Sequence, residues 1–188
     1  MRIFLTVIAA LFGLLFIGWQ VLASVDDDSD SRYEDQWWQP QPGVAPVANA
    51  EYTEECGSCH MAYPPGLLPA ESWRTMMAGL DDHFGENAGL DAPTHQSLTD
   101  YLVANSADVS QSRRSRKIIR SLSASAAPLR ITDLPYFRHE HDKIPPRLVA
   151  KNPDVGSLSN CVACHRGAER GSFSERDIRI PGFGRWDD

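Results

Sequence analysis

Apolar residues fall along this chain in three regimes. Ile3 to Ala23 is a nearly unbroken apolar run, with Thr6 and Gln20 its clearly polar members. Residues 24–50 are rich in Asp, Ser, Gln and Pro and carry too little apolar surface to order themselves, which predicts a flexible tether. Trp37 and Trp38 interrupt it, either as packing residues or as a contact with a membrane surface. From Glu51 onward the apolar positions come in short bursts at helical spacing. A helix is predicted from Glu51 into Cys56 and His60, broken by Tyr63-Pro64-Pro65-Gly66. Pro69 suits the first turn of the next helix. Its apolar face is Trp73, Met76, Met77 and Leu80, with His83 continuing the line and Gly85 ending it. Pro93 opens a further helix with Leu98, Tyr101 and Leu102 on one side. Ile118, Ile119 and Leu122 mark another amphipathic stretch. Residues 128–158 hold Pro128, Pro135, Pro145, Pro146 and Pro153 and read as loop. No segment shows the period-two alternation of a strand. The expected fold class is mainly α, short helices and long loops with little or no sheet, in a domain at 51–188.

The ends of the apolar run orient it. Arg2 precedes it and Asp26, Asp27 and Asp28 follow, so its N-terminus faces the cytoplasm and the rest is exported. Its 21 residues suffice to span a bilayer, while Val21-Leu22-Ala23 offers small residues to a signal peptidase. Residues 1–23 are thus read as a cleaved signal peptide or a retained membrane anchor through 3–23. Both readings put the domain in the periplasm, soluble or tethered to the inner membrane.

The four cysteines change the picture most. They stand in Cys56-Gly57-Ser58-Cys59-His60 and Cys161-Val162-Ala163-Cys164-His165, with none left over. In this pattern two thiols form thioethers to a haem and the adjacent histidine binds its iron. A zinc ribbon does not need those histidines, and a thioredoxin-like site belongs to a βαβ pattern that is lacking here. Two covalent haem c groups are therefore expected, with Cys56, Cys59, Cys161 and Cys164 attaching them and His60 and His165 as proximal ligands. Haem also supplies apolar core to a chain of moderate hydrophobic content.

Charge is unevenly divided. From Asp26 to Asp108 sixteen acids face Arg32 and Arg74 alone, whereas from Val109 to Asp188 nine acids face fifteen bases. Arg113, Arg114, Arg116, Lys117 and Arg120 form the sharpest cluster. Offsetting haem propionates and the acidic first half is the preferred reading over a docking face for an anionic partner. Nucleic acid is not a partner in this compartment.

An iron that carries electrons needs a second axial ligand, usually methionine or histidine. Only 23 residues follow His165 and none is methionine. Met61 adjoins His60 and cannot reach the far side of the same haem, and Met76 and Met77 suit a helix core. The distal ligands then come from His83, His95, His139 and His141. His83 is favoured by its place on an apolar face. One of His139 and His141 is expected to ligate, and His95 to cap or pack.

Further residues carry a resemblance. Tyr63-Pro64-Pro65-Gly66-Leu67-Leu68-Pro69, Ser72-Trp73, His83-Phe84-Gly85, His141-Asp142-Lys143-Ile144-Pro145 and the run from Ser159-Asn160-Cys161 to Ile180-Pro181 resemble the periplasmic dihaem cytochrome c family called DHC, over about residues 52–181. That family is bis-histidine ligated. Its histidine before x-x-Ile-Pro matches His141 and not His139, and it supports His83. His139 and the N-terminal tether are departures from the pattern. Two histidines per iron leave no open coordination position and lower the potential relative to a methionine-ligated haem. A small dihaem c-type cytochrome acting as an electron carrier, not an enzyme, is therefore expected, taking electrons from a membrane quinol-linked donor to a periplasmic acceptor. The resemblance implies a membrane b-type cytochrome as donor and a periplasmic haem protein as acceptor. The alternatives are a dihaem peroxidase-like enzyme, which needs one open iron position, and an electron-transfer subunit of a larger membrane complex.

Overall fold

The structure, a computed structural model, describes residues 43–186. The apolar run 3–23, residues 24–42 with Trp37 and Trp38, and the last two residues lie outside the described span. Within it the helices are α1 (Ala50–Gly57), α2 (Ala70–Ala78), α3 (Ala92–Ala104), α4 (Arg113–Ser121), α5 (Pro135–His141) and α6 (Cys161–Cys164). Single 3-10 turns link them at Pro65–Leu67, Leu80–Asp82, Ile131–Asp133, Pro146–Leu148, Ala168–Arg170 and Glu175–Asp177. The sheet is two strands of two residues, β1 (Arg179–Ile180) antiparallel to β2 (Gly184–Arg185), with Ile180 opposite Gly184. Among the described residues no helix is long and apolar enough to cross a membrane.

The helices start where the local chemistry starts them. Asn49 Oδ1 accepts from the Tyr52 amide at 2.9 Å and Asp91 Oδ1 from the Thr94 amide at 3.2 Å. The Ser112 hydroxyl caps α4 through the Ser115 amide at 3.3 Å. Each side chain satisfies an amide that the first helical turn leaves without a partner. Pro93 lies in the first turn of α3, where a missing N–H costs nothing. Asp108, distant in sequence, accepts from the Ala70 amide at the start of α2.

Packing forms two cores. The larger joins Leu67, Leu68, Trp73, Leu98, Leu102 and Ile118 across α2, α3 and α4. Leu98 and Leu102 are fully enclosed, each stabilising the fold by about 1.5–3 kcal/mol through burial. Trp73 Nε1 donates to Pro65 O at 2.8 Å and the Ser115 hydroxyl to Gly66 O at 2.7 Å, so the Tyr-Pro-Pro-Gly segment is nailed to this core by buried hydrogen bonds. The smaller core holds Leu148, Val149, Val155 and Ile180.

Four expectations change. Residues 43–50, assigned to the tether, pack on the domain. Val44 is fully buried, its amide donates to Gly171 O at 3.1 Å, and Asn49 caps α1. Helix α1 stops at Gly57, ahead of Cys59 and His60. The Ser58 hydroxyl bonds back to Glu55 O at 3.1 Å, a competitor for helix continuation. Helix α2 stops at Ala78 before Gly79, so His83 is not on its apolar face. Finally, α5 occupies part of the predicted loop. Pro135 sits in its first turn, acting as a pre-organised start and not a breaker.

Candidate functional site

The rings of His60 and His83 lie beside each other. His60 stands just beyond α1, its ring 5.0 Å from that of Tyr63. His83 opens a tight turn. Its amide donates to Glu86 O at 2.7 Å, and the Glu86 amide returns to His83 O at 3.3 Å. Phe84 (φ 58°) and Gly85 (φ 100°) are both left-handed, the pattern of a primed hairpin turn. The glycine is there for that conformation, and the strained Phe84 marks a position held by its surroundings. The two ring centroids lie 6.1 Å apart with planes at 27°.

A second pair repeats the spacing. His141, at the end of α5, and His165, just after α6, have ring centroids 6.1 Å apart with planes at 69°. Phe137 stacks on His141 at 3.9 Å, and Phe173 meets His165 edge-on at 5.5 Å. Two metal–imidazole bonds of about 2.0–2.1 Å on opposite sides of one ion separate ring centroids by about 6 Å. The 6.1 Å spacing of each pair matches that distance.

Hydrogen bonding sets the tautomers. His60 Nδ1 lies 2.8 Å from Met61 O and His141 Nδ1 2.8 Å from Phe137 O. Carbonyls only accept, so each Nδ1 carries the hydrogen and Nε2 keeps a lone pair for a metal. His165 Nδ1 is buried without a hydrogen-bond partner. Burial, then His141 and Arg114, push His165 down to about 4. Burial, then His60 and Arg130, lower His83. Both imidazoles are thus neutral at physiological pH, the form that ligates.

The cysteines accompany these pairs. None of the four forms a disulfide, and before attachment burial first of all pushes the Cys56 and Cys161 thiols up to about 11. Among the described residues no group of three or more His, Cys, Asp or Glu is arranged around one metal ion. Cys161, Cys164, His141 and His165 share the wall of one cavity, open to solvent on one side and lined elsewhere by apolar groups such as Leu134, Phe137 and Ile178. That is the apolar character of a cofactor site. At the first pair Cys59 and His60 are exposed. Tyr63 joins the two regions, its hydroxyl donating to Ser159 O at 2.7 Å, two residues before Cys161.

The other histidines fall outside both pairs. His95 Nε2 is 2.9 Å from Met77 O, a packed and satisfied side chain. His139 is exposed. Helical geometry separates it from His141, because residues two apart point to different faces. Sequence reasoning missed Phe137, Phe173 and the inward turn of Arg114. The spacing of Phe137 and His141, four residues apart, was the available signal, hidden by reading their helix as loop.

Comparison with known proteins bears on the same residues. A family model described as dihaem cytochrome c matches residues 52–173. A crystal structure of a dihaem cytochrome c from Shewanella baltica OS155 is 47% identical, with 74% of this chain and 98% of that chain covered at a TM-score of 0.61. A dihaem cytochrome c from Rhodobacter sphaeroides is 45% identical, with 69% of this chain and 100% of that chain covered, also at a TM-score of 0.61. No curated protein matches. The family match spans most of the chain and the solved relatives align over nearly their whole length: the chain belongs to the dihaem cytochrome c family and carries two covalently bound haem c groups.

Proposed function

We propose that this protein is a periplasmic single-electron relay in which His60 and His83 ligate the iron of the first haem and His141 and His165 that of the second. The observation that carries this reading is the pair of opposed imidazole couples, each at 6.1 Å. The iron supplies a ferric–ferrous couple. The chain's part is to hold two imidazoles per iron and so deny a position to substrate, which favours a carrier over a peroxidase-like enzyme. Imidazole on both sides also keeps the potential below that of a methionine-ligated haem. Tyr63 ties the two attachment regions together, supporting exchange between them. The donor is a membrane b-type cytochrome or another quinol-linked component, and the acceptor a periplasmic haem protein.

The test is a set of His→Ala changes at 83, 95, 139 and 141 in the haem-loaded protein. Changes at 83 and at 141 each turn one haem from low-spin to high-spin, while changes at 95 and 139 leave both low-spin. The opposite outcome, or rapid carbon monoxide binding by the reduced wild type, ends the bis-histidine relay reading. Release of the loaded protein by osmotic shock tests the periplasmic assignment, and intact mass reports whether residues 1–23 are retained.

A further inference from the structure

Helix α4 turns most of its cations to water, and Arg113, Arg116, Lys117 and Arg120 are exposed. Arg114 alone points inward. Its Nη1 donates to the Tyr136 hydroxyl at 2.8 Å and its Nη2 to Phe173 O at 3.0 Å. Its guanidinium carbon is 5.7 Å from the centroids of both the Tyr136 and the Phe173 rings. Its Nε is buried without a partner, and Gly43 lies so close that a Cβ there would come within 3.0 Å of it.

Every contact on that list is with a neutral group. The ion pairs among the described residues are Arg74–Glu71 and Arg138–Asp133. Glu140 and Glu175 line the same cavity as Arg114 without forming an ion pair with it. A guanidinium does not lose its proton, and a partly buried charge with no counter-ion is unfavourable. Arg114 shares its cavity wall with Cys161, Cys164, His141 and His165. The group attached there brings carboxylates of its own, the haem propionates, and the planar fork of arginine suits a carboxylate.

We propose that Arg114 binds a propionate of the second haem and holds that haem's potential above the value it would have without this cation. The inference rests on the two-haem ligation reading above. The sign follows from charge. Oxidation adds one positive charge at the iron, and a fixed cation nearby disfavours it. Removing Arg114 also leaves the propionate uncompensated, which favours the ferric state further. Both effects lower the potential. The first haem has a weaker counterpart, since Arg130 lies 3.8 Å over the exposed Phe84 ring, where water screens it.

The experiment is a potentiometric titration of the haem-loaded protein and of Arg114→Gln, Arg114→Lys and Tyr136→Phe. A parallel His83→Ala sample identifies the wave of the second haem as the one that stays low-spin. In Arg114→Gln the second haem's reduction equilibrium falls about tenfold, about 59 mV for one electron, while the first haem's stays in place. Arg114→Lys recovers most of the loss, and Tyr136→Phe, which keeps the charge, moves the wave least. Equal shifts at both haems, no shift at either, or a fall in Arg114→Lys as large as in Arg114→Gln overturns the assignment. If Arg114→Gln does not accumulate with two haems, the other two variants decide. A larger fall in Tyr136→Phe than in Arg114→Lys means packing sets the potential, and the assignment fails. Failure of the ligation reading shows separately, as a high-spin wild type.

Discussion

The two haem regions share a motif and a 6.1 Å imidazole spacing but differ in how the chain surrounds them. In the first, Cys59, His60 and Phe84 are exposed, and His83 is set by a strained turn with backbone bonds to Glu86. In the second, side chains from α4, α5, α6 and the segment around Phe173 line a largely apolar cavity, with aromatic rings against both histidines and Arg114 in its wall. The same ligand chemistry is thus placed near water in one region and in a low-dielectric wall in the other. Charge and access act more strongly in the second, so the comparison predicts unequal responses to equal changes.

The largest inequality is in folding. Changing Cys161 and Cys164 to Ser removes the attachment of the group around which the second core is built. The chain then loses more than about 5 kcal/mol, beyond the usual range for a single truncated core side chain, and is degraded. Changing Cys56 and Cys59 to Ser leaves a folded protein with one haem. Intact mass, haem quantification and thermal melts check this, and equal losses break the comparison.

Ligand access comes next. His83→Ala and His141→Ala each create one open iron position, but carbon monoxide reaches the first site at least several-fold faster in stopped flow, because that site lies at the surface. The wild type also gives two distinguishable low-spin signals. Imidazole planes at 27° and at 69° split the iron d-orbitals to different extents, and paramagnetic resonance of the ferric protein reads the difference.

Backbone strain separates the regions by less. A Cβ at Gly171 (φ 72°) would stand 2.3 Å from Val44 O, whereas at Gly85 (φ 100°) it would meet open space. Gly171→Ala combines collision with strain and costs about 2–3 kcal/mol, while Gly85→Ala bears the conformational term alone, about 1–2 kcal/mol. Denaturant titration of the two variants measures the gap.

The smallest effect tests the link between the regions. Tyr63→Phe removes the bond to Ser159, at about 0.5–1.5 kcal/mol. Burial pushes the Tyr63 hydroxyl up. The folded state therefore favours the neutral phenol. Its contribution is complete below pH 10 and is lost as pH rises above it. Alkaline titration of stability in wild type shows this loss, and Tyr63→Phe lacks it.

Much of the chemistry was legible in the residues. The two pentapeptides indicated two haems, and the lack of methionine after His165 pointed to histidine ligands. The family resemblance then separated His141 from His139. The elements around them were less legible. His83 was assigned to a helical face, yet Gly79 ends α2 and a turn positions the ring. His141 was placed in a loop, yet it closes α5, because proline punctuates a chain in two opposite ways, as breaker and as helix start. Val44 was given to a tether because its contact with Gly171 lies more than a hundred residues away.

By itself the amino-acid sequence determined the covalent and coordinative inventory: four thiols at the spacing for two haems, six histidines as nitrogen donors, and an excess of cations in the second half. These depend on residue type and on neighbours within a few positions. Only the tertiary structure decided that His60 faces His83 and His141 faces His165, that His95 is satisfied by Met77 O, and that Arg114 alone among the α4 cations turns into the cavity. Those outcomes depend on which surfaces meet when distant segments pack, and local spacing along the chain does not encode that meeting.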